Sequence, residues 1–461
     1  MHMETEVLVI GGGLAGLVAG TRAAEAGHRV LLVQKGHGAT AYSSGAFDVI
    51  GYLPDALEPV ANPVEGLSVL AQVYPLHPYS IAGFPVDVES GGESAVVLAL
   101  VSETVEWLKD RLDKTPAALS GGLDSNLVAM TVLGTTKPTC LLQKSMVSIP
   151  EMEGEEDGVL LFAGVRGYAD FAPGAAAKVF LRDRMMNKKY PQKIAHCQVR
   201  VSPSGTDYNI SGVEIARHLD HPGSIDSLAK ELAVYIDQFG ATDVALPPVL
   251  GIQNAISNKE ALEERLGVRV FELLGLPPSV PGLRLQNSLE QMYLESGGAL
   301  LRGHEVVSYT MEGDRLISVQ TKGPSREIQI SAQAFVLATG KFIGGGLSGD
   351  KDGVREIVFD LMSVTGEFVS AEEASPSRST SKLAVSPLGQ PVLSNGVSVD
   401  SFLRPVKRNG LEWTTNLFSA GSIIAGYNYA TEKSGLGVAA TTGYTAALRV
   451  TEYLKEVAQN E

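Results

Sequence analysis

Cysteine is nearly missing from this chain. Cys140 and Cys197 are the only two in 461 residues, and neither belongs to a CxxC pair. A four-thiolate iron–sulfur cluster or a cysteine-rich zinc site built from this chain alone is therefore excluded by ligand count. The eight histidines show no HExxH or other paired spacing, so no metal site is expected. Excess basic charge is lacking too. With 37 Lys and Arg against 52 Asp and Glu, the formal net charge of −15 removes any general attraction to nucleic acid or anionic lipid. An anionic substrate would need a local cationic pocket. No apolar run reaches the roughly eighteen residues of a membrane-spanning helix, and no secretion signal precedes the first apolar stretch, so a cytoplasmic protein is expected. Internal repeats and low-complexity linkers are absent from the sequence as well.

Glycine is plentiful, and its placement is informative. Glu6-Val-Leu-Val-Ile-Gly-Gly-Gly-Leu-Ala-Gly16 runs an apolar strand into a glycine turn and then a helix. The pattern is a dinucleotide phosphate cradle: Gly11 permits the tight turn, Gly13 lets backbone approach a pyrophosphate, and Gly16 lets helix pack on strand. Leu14 and Ala15 open a helix whose positive dipole end faces the anion. Gly27-His-Arg-Val-Leu-Leu-Val33 supplies the second strand of a βαβ unit.

About twenty residues past the glycines an Asp or Glu normally holds the ribose hydroxyls. Here the position is Gln34, followed by Lys35. Gln34 can accept a hydrogen bond through its amide oxygen but lacks the charge that would strengthen it. Either the dinucleotide is held with a weaker ribose contact, or the site has drifted toward a mononucleotide.

Three later segments fit the same nucleotide fold. Helical spacing at Leu285, Leu289, Met292 and Tyr293 is followed by Gly297-Gly298 and the strands Ala299–Leu301 and Glu305–Val307, with Val306 counted among the cofactor-contacting positions. Ser308–Thr310, Leu316–Thr321 and Glu327–Ile330 alternate as an antiparallel meander, and Phe335 to Gly340 returns as a strand ending in Ala338-Thr339-Gly340. Leu417 to Gly421 predicts a last strand, and Gly435-Leu436-Gly437-Val438 opens an alanine-rich helix. The fold class expected is α/β: a Rossmann-like flavin-binding domain formed by residues 1–75, 280–345 and 410–461, interrupted by a mixed α+β cap or substrate domain of residues 76–279 and 346–409. The acidic run Glu151 to Asp157 reads as a solvated loop.

The glycine set together with Ala338–Gly340, Leu417–Gly421 and Gly435–Val438 resembles the fumarate reductase-like branch of two-domain FAD flavoproteins. Tyr42-Ser-Ser-Gly-Ala-Phe-Asp48, His77-Pro-Tyr-Ser80, Gly134-Thr-Thr-Lys-Pro-Thr139, Leu246-Pro-Pro-Val-Leu-Gly251 and Leu276-Pro-Pro-Ser-Val-Pro-Gly-Leu-Arg-Leu285 narrow the resemblance to the B-subunit family of anaerobic glycerol-3-phosphate dehydrogenases. It spans nearly the whole chain. The resemblance implies a flavoprotein that helps oxidise sn-glycerol 3-phosphate to dihydroxyacetone phosphate. Its implied partners are a larger flavoprotein subunit and a cysteine-rich iron–sulfur subunit, through which alone it would touch a membrane. The family label favours FMN, whereas the pyrophosphate loop favours FAD. Fumarate reductase relatives carry a flavin-linked histidine after the second strand; His37 is out of register for that role, so non-covalent binding is expected. Ser43, Ser44 and Gly45 are expected to line the isoalloxazine. Oxidising a secondary alcohol needs a base and, for this substrate, cations on the phosphate. His77 is the candidate base, and Arg284, Arg166, Lys137, Arg378 and Lys382 are the candidate anion clamp. A free-standing flavin dehydrogenase and a non-catalytic flavin relay or scaffold are the other readings.

Overall fold

The computed structural model describes residues 1–83, 92–149, 158–186, 193–201, 208–350, 353–364, 380–407 and 409–460. They divide into two compact units: Met1–Thr40, Asp48–Arg111 and Leu289–Glu461 form the first, Ala41–Phe47 and Leu112–Ser288 the second.

The first unit is built on a seven-stranded sheet. Its strands are β1 (His2–Ile10), β2 (Val30–Gln34), β3 (Ala299–Arg302), β4 (Glu305–Glu312), β5 (Arg315–Lys322), β6 (Glu327–Leu337) and β7 (Leu417–Ser419). Their order is β3-β2-β1-β6-β5-β4, with β7 beside β6. Val7, Leu8, Val9 and Ile10 are all buried because β1 lies between two parallel neighbours, β2 and β6. Burying each such side chain contributes about 1.5–3 kcal/mol. Helix α1 (Leu14–Glu25) follows β1, α2 (Val280–Glu295) precedes β3, and α3 (Gly435–Asn460) follows β7. Small residues let α1 and α3 approach closely: a Cβ on Gly443 would lie 2.4 Å from the carbonyl oxygen of Ala15. Likewise a Cβ on Gly20 would meet the Tyr293 ring at 2.8 Å.

The meander differs from expectation in one strand. Glu327–Ile330 and Phe335–Leu337 are one continuous strand, β6, antiparallel to β5 and parallel to β1 from Gln329 to Leu337. The Ser331-Ala-Gln-Ala334 stretch that reads as a break is paired along β1, and Ser331 also pairs with Ser318 of β5.

The second unit carries its own four-stranded, all-parallel sheet, ordered Arg269–Glu272, Asp243–Leu246, Val159–Val165, Lys193–Val199. Helices Pro173–Met186, Ser224–Phe239 and Ala255–Leu266 connect or flank these strands. Leu161, Leu228, Leu232, Val244, Leu262 and Val270 share one core. Small antiparallel sheets complete the unit.

The boundaries depart from those expected in three places. The described residues of 346–409 belong with the first unit, where Ser363–Val364 pairs with Gly396–Val397 and Val397 bridges to Ile424. Residues 76–83 and 92–111 also join the first unit, and 41–47 join the second. Among the described residues no helix is long and apolar enough to cross a membrane.

Candidate functional site

Three loops leave the carboxyl ends of parallel strands β1, β6 and β7 in the first unit. Chain order reverses across β1, with β2 on one side and β6 on the other, which is where open α/β sheets form ligand crevices. The Ala338 N–H donates to the Ile10 carbonyl at 2.8 Å, and that of Gly11 donates to Val33 at 2.9 Å. Gly11 has φ +118°, and a Cβ there would fall 2.2 Å from the Ala338 oxygen. Nothing larger than glycine fits. A Cβ on Gly16 would lie 1.9 Å from the Gly11 oxygen, so Gly16 sets the close packing of α1.

Gly13 is different. It is the N-cap of α1 in extended backbone, without a side chain to satisfy the first turn, and a Cβ there would find only Thr40 Oγ1 at 3.5 Å. The Leu14 N–H is met by Thr40 Oγ1 at 2.8 Å, and the first turn carries no acidic residue. A helix start held open in this way suits an anion. Two buried acceptor atoms at these loops, Gln34 Oε1 and Thr339 Oγ1, have no hydrogen-bond partner among the described residues. A helix start whose N-cap is a glycine, together with orphaned acceptors, fits a polar ligand bearing both phosphate and hydroxyl groups.

Gln34 closes the cradle. A Cβ on Gly12 would fall 1.8 Å from Gln34 Oε1, so the carboxamide lies against the loop. Lys35 points into an exposed ion pair with Glu305 at 2.8 Å. It is a surface residue here.

A family model described as FAD binding domain matches residues 6–438. The B subunit of the anaerobic glycerol-3-phosphate dehydrogenase of Pectobacterium carotovorum subsp. carotovorum is 32% identical over 453 residues, covering 98% of this chain and 99% of that protein. The same-named protein of Vibrio vulnificus is 30% identical over 458 residues, covering 97% and 96%. The chain belongs to this B-subunit family. It is accordingly a flavin-dependent oxidoreductase with an α/β flavoprotein fold.

Several residues of the family's motifs hold the fold together at the loops. Gly421, at φ +78°, donates its N–H to Thr442 Oγ1 at 2.7 Å, and a Cβ there would lie 2.6 Å from that of Ala15. The Gly437 N–H donates to the Asp48 carbonyl at 2.9 Å, and a Cβ there would meet Tyr79 Oη at 2.2 Å, so this glycine does not present its donor to a ring. Val438 is fully buried, while Leu436 and Gly435 remain half-buried at the start of α3. Val306 is buried in β4 opposite Thr321. A Cβ on Gly340, at φ +74°, would lie 3.4 Å from Ser422 Oγ, which places the β6 and β7 loops side by side. Ser43, Ser44 and Gly45 belong to the second unit: Ser43 O accepts from Ser279 Oγ, Ser44 O accepts from the Gly275 N–H at 2.9 Å, and Gly45 packs on Met146. His37 is exposed.

The candidate base and clamp need correcting. His77 is buried and caps the short helix Pro78–Ala82: its Nδ1 accepts from the Tyr79 N–H at 3.2 Å. The ring proton therefore sits on Nε2, which donates to Glu432 Oε2 at 3.1 Å. Both nitrogens are committed, so His77 has no lone pair for a substrate. Arg284 is fully buried in the second unit. Its Nε donates to the Gly251 carbonyl at 2.6 Å, Nη1 to Glu272 Oε2 at 2.6 Å and Nη2 to Glu272 Oε1 at 2.8 Å. Glu272 Oε1 also accepts the Leu250 N–H at 2.6 Å, so the pair fastens the Pro-Pro loop rather than awaiting an anion. Arg166 and Lys382 are exposed, and Lys137 is half-buried in the strand Thr136–Thr139. Arg166 and Lys137 lie in the second unit and Lys382 in the first. Arg378 and the acidic run 151–157 fall outside the described residues.

Among the buried charged residues that escape sequence reasoning, Lys341, Glu432 and Glu290 lie in the first unit. Lys341 follows Gly340 directly, donating to Leu393 O at 2.5 Å and Tyr427 O at 3.2 Å beneath the Tyr427 ring. Burial pushes its pKa down to about 7, against the pull of Glu432. In Glu432 burial acts to raise the pKa, but hydrogen bonds from His77, the Asn428 N–H and Ser434 outweigh it and hold the carboxyl below its ordinary value. A lysine directly behind a nucleotide motif was a usable signal. Glu432 and Glu290 gave none locally.

Proposed function

We propose that this chain holds FAD non-covalently on the Gly11–Gly16 and Ala338–Gly340 loops and serves as the flavin subunit of a complex that oxidises sn-glycerol 3-phosphate to dihydroxyacetone phosphate. The observation that carries the reading is the side-chain-free N-cap Gly13 of α1 beside the orphaned acceptors Gln34 Oε1 and Thr339 Oγ1. The names of relatives matched over nearly their whole length support the substrate. Held on the Gly11–Gly16 and Ala338–Gly340 loops, a flavin would supply a two-electron, hydride-level acceptor for oxidation of a secondary alcohol. This chain's part is to hold the phosphate end with backbone donors and to keep Gln34 and Thr339 turned toward the ligand.

Electrons leave through partners. Membership of the B-subunit family implies a larger flavoprotein subunit and a cysteine-rich iron–sulfur subunit that take them on, which agrees with this chain's two isolated cysteines, too few for a four-cysteine cluster. The commitment of His77 and Arg284 to buried contacts favours a second reading of the same complex, in which this chain is the relay and the alcohol is oxidised on the partner. Anaerobic mixing of the isolated flavin-loaded chain with glycerol 3-phosphate separates the two. Loss of oxidised-flavin absorbance places the substrate site here; loss only after the partner flavoprotein is added supports the relay, and no reduction in either arm removes glycerol 3-phosphate as the substrate.

A further inference from the structure

Gln34 does not stand alone at the end of β2. Its Nε2 lies 3.2 Å from Glu290 Oε1, and the other oxygen of Glu290 accepts from Arg302 Nη2 at 2.8 Å. Arg302 is the direct neighbour of Gln34 in the β2–β3 register, so all three are set by the sheet and by α2. Glu290 and Gln34 are both buried. An ionised carboxylate offers only acceptors, so the amide nitrogen must face Glu290 and Oε1 must face away. Away from Glu290 is the glycine loop, where Oε1 lies against Gly12 without a partner.

From this geometry we infer that Glu290 is a positioning residue for cofactor choice. It locks the Gln34 amide so that an acceptor faces the loop, doing for a neutral side chain what direct charge does when a carboxylate occupies that position. The ligand class it selects is one with a hydroxyl-bearing adenosine half, FAD over FMN. The inference rests on the flavin reading above. It also reverses the sign of an obvious substitution: Gln34→Glu would place two buried carboxylates side by side, and both cannot be ionised. Moving the charge rather than adding it should be tolerated.

The test is titration of the deflavinated chain with FAD and with FMN, following flavin fluorescence, for wild type, Glu290→Gln, Gln34→Glu and the swap Gln34→Glu/Glu290→Gln. Glu290→Gln removes the orienting charge at constant shape and is expected to weaken FAD about tenfold, with FMN changed less than about twofold. Gln34→Glu should weaken FAD at least as much, and the swap should restore it to the wild-type value or tighter. Equal weakening of both flavins, an unchanged FAD affinity in Glu290→Gln, or a swap no better than Gln34→Glu would overturn the positioning role while leaving flavin binding intact. A wild-type chain that binds neither flavin would overturn the flavin reading itself. If Glu290→Gln alone fails to fold, the comparison of Gln34→Glu with the swap decides the matter.

Discussion

Arg284 and Glu272 meet as a bidentate ion pair, at 2.6 and 2.8 Å, with both side chains fully buried. A buried pair of this kind is expensive to break from one side, because the survivor keeps its charge without its partner. Arg284→Met should cost about 3–5 kcal/mol of stability in the second unit, whereas Arg284→Met/Glu272→Leu should cost much less. Chemical denaturation of the two variants checks this. A single variant of unchanged stability but greatly raised KM for a phosphate substrate would return Arg284 to the anion clamp.

Gly13 at the α1 start and Gly421 after β7 should separate binding from folding. Gly13→Val enters extended backbone with open space, so the fold should lose about 1 kcal/mol or less while flavin occupancy collapses. Gly421→Ala meets Ala15 at a positive φ and should destabilise by about 1–3 kcal/mol. Thermal melts beside flavin content of each purified variant give the comparison, and a fully yellow Gly13→Val protein would contradict it.

Lys341 gives stability a pH slope. Its folded pKa of about 7 lies below the ordinary 10.5, so between these values the unfolded chain binds the extra proton and stability rises with pH. Below about pH 7 the cost of the buried charge is present in full. Glu432 acts in the other window: its folded pKa is depressed, so its contribution is present above the ordinary carboxylate value and is lost as pH falls through the folded one. Denaturation midpoints of wild type and Lys341→Met from about pH 6 to 10 should converge as pH rises. Parallel curves would mean that Lys341 titrates normally.

His77 should behave as a cap and a partner of Glu432 rather than as a base. His77→Gln is expected to lower stability by about 1–3 kcal/mol, through the lost contact to buried Glu432, without moving the pH profile of flavin reduction by substrate. Loss of the acidic limb of that profile, where a general base must lose its proton, with stability intact would restore the catalytic assignment.

The glycine turn between β1 and α1 was legible because its physics is local: Gly11, Gly13 and Gly16 act on atoms within a few residues or on the adjacent strand. The α/β class followed from the apolar runs Val7–Ile10, Leu31–Val33 and Phe335–Leu337. Charge partnership is not local in this sense. Gln34 meets Glu290 across 256 residues and His77 meets Glu432 across 355, so neither pair leaves a trace in spacing. Arg284 and Glu272 are only 12 apart, but they lie in different elements, the helix Val280–Glu295 and the strand Arg269–Glu272, so no single periodicity pairs them. The parallel sheet of the second unit escaped notice because Val159–Val165 and Asp243–Leu246 are followed by no glycine fingerprint. Segment 346–409 looked like cap sequence because its ties to Lys341 and Ile424 are made by backbone, which any residue supplies.

Cofactor identity is decided by the mass and absorbance spectrum of the ligand released when the purified chain is denatured without proteolysis. Intact FAD, recovered near one per chain from wild type and lost from Gly13→Val, is the result expected of a dinucleotide cradle completed by Gln34 and Glu290. FMN alone, a flavin that stays attached to the polypeptide, or no flavin at all would contradict it.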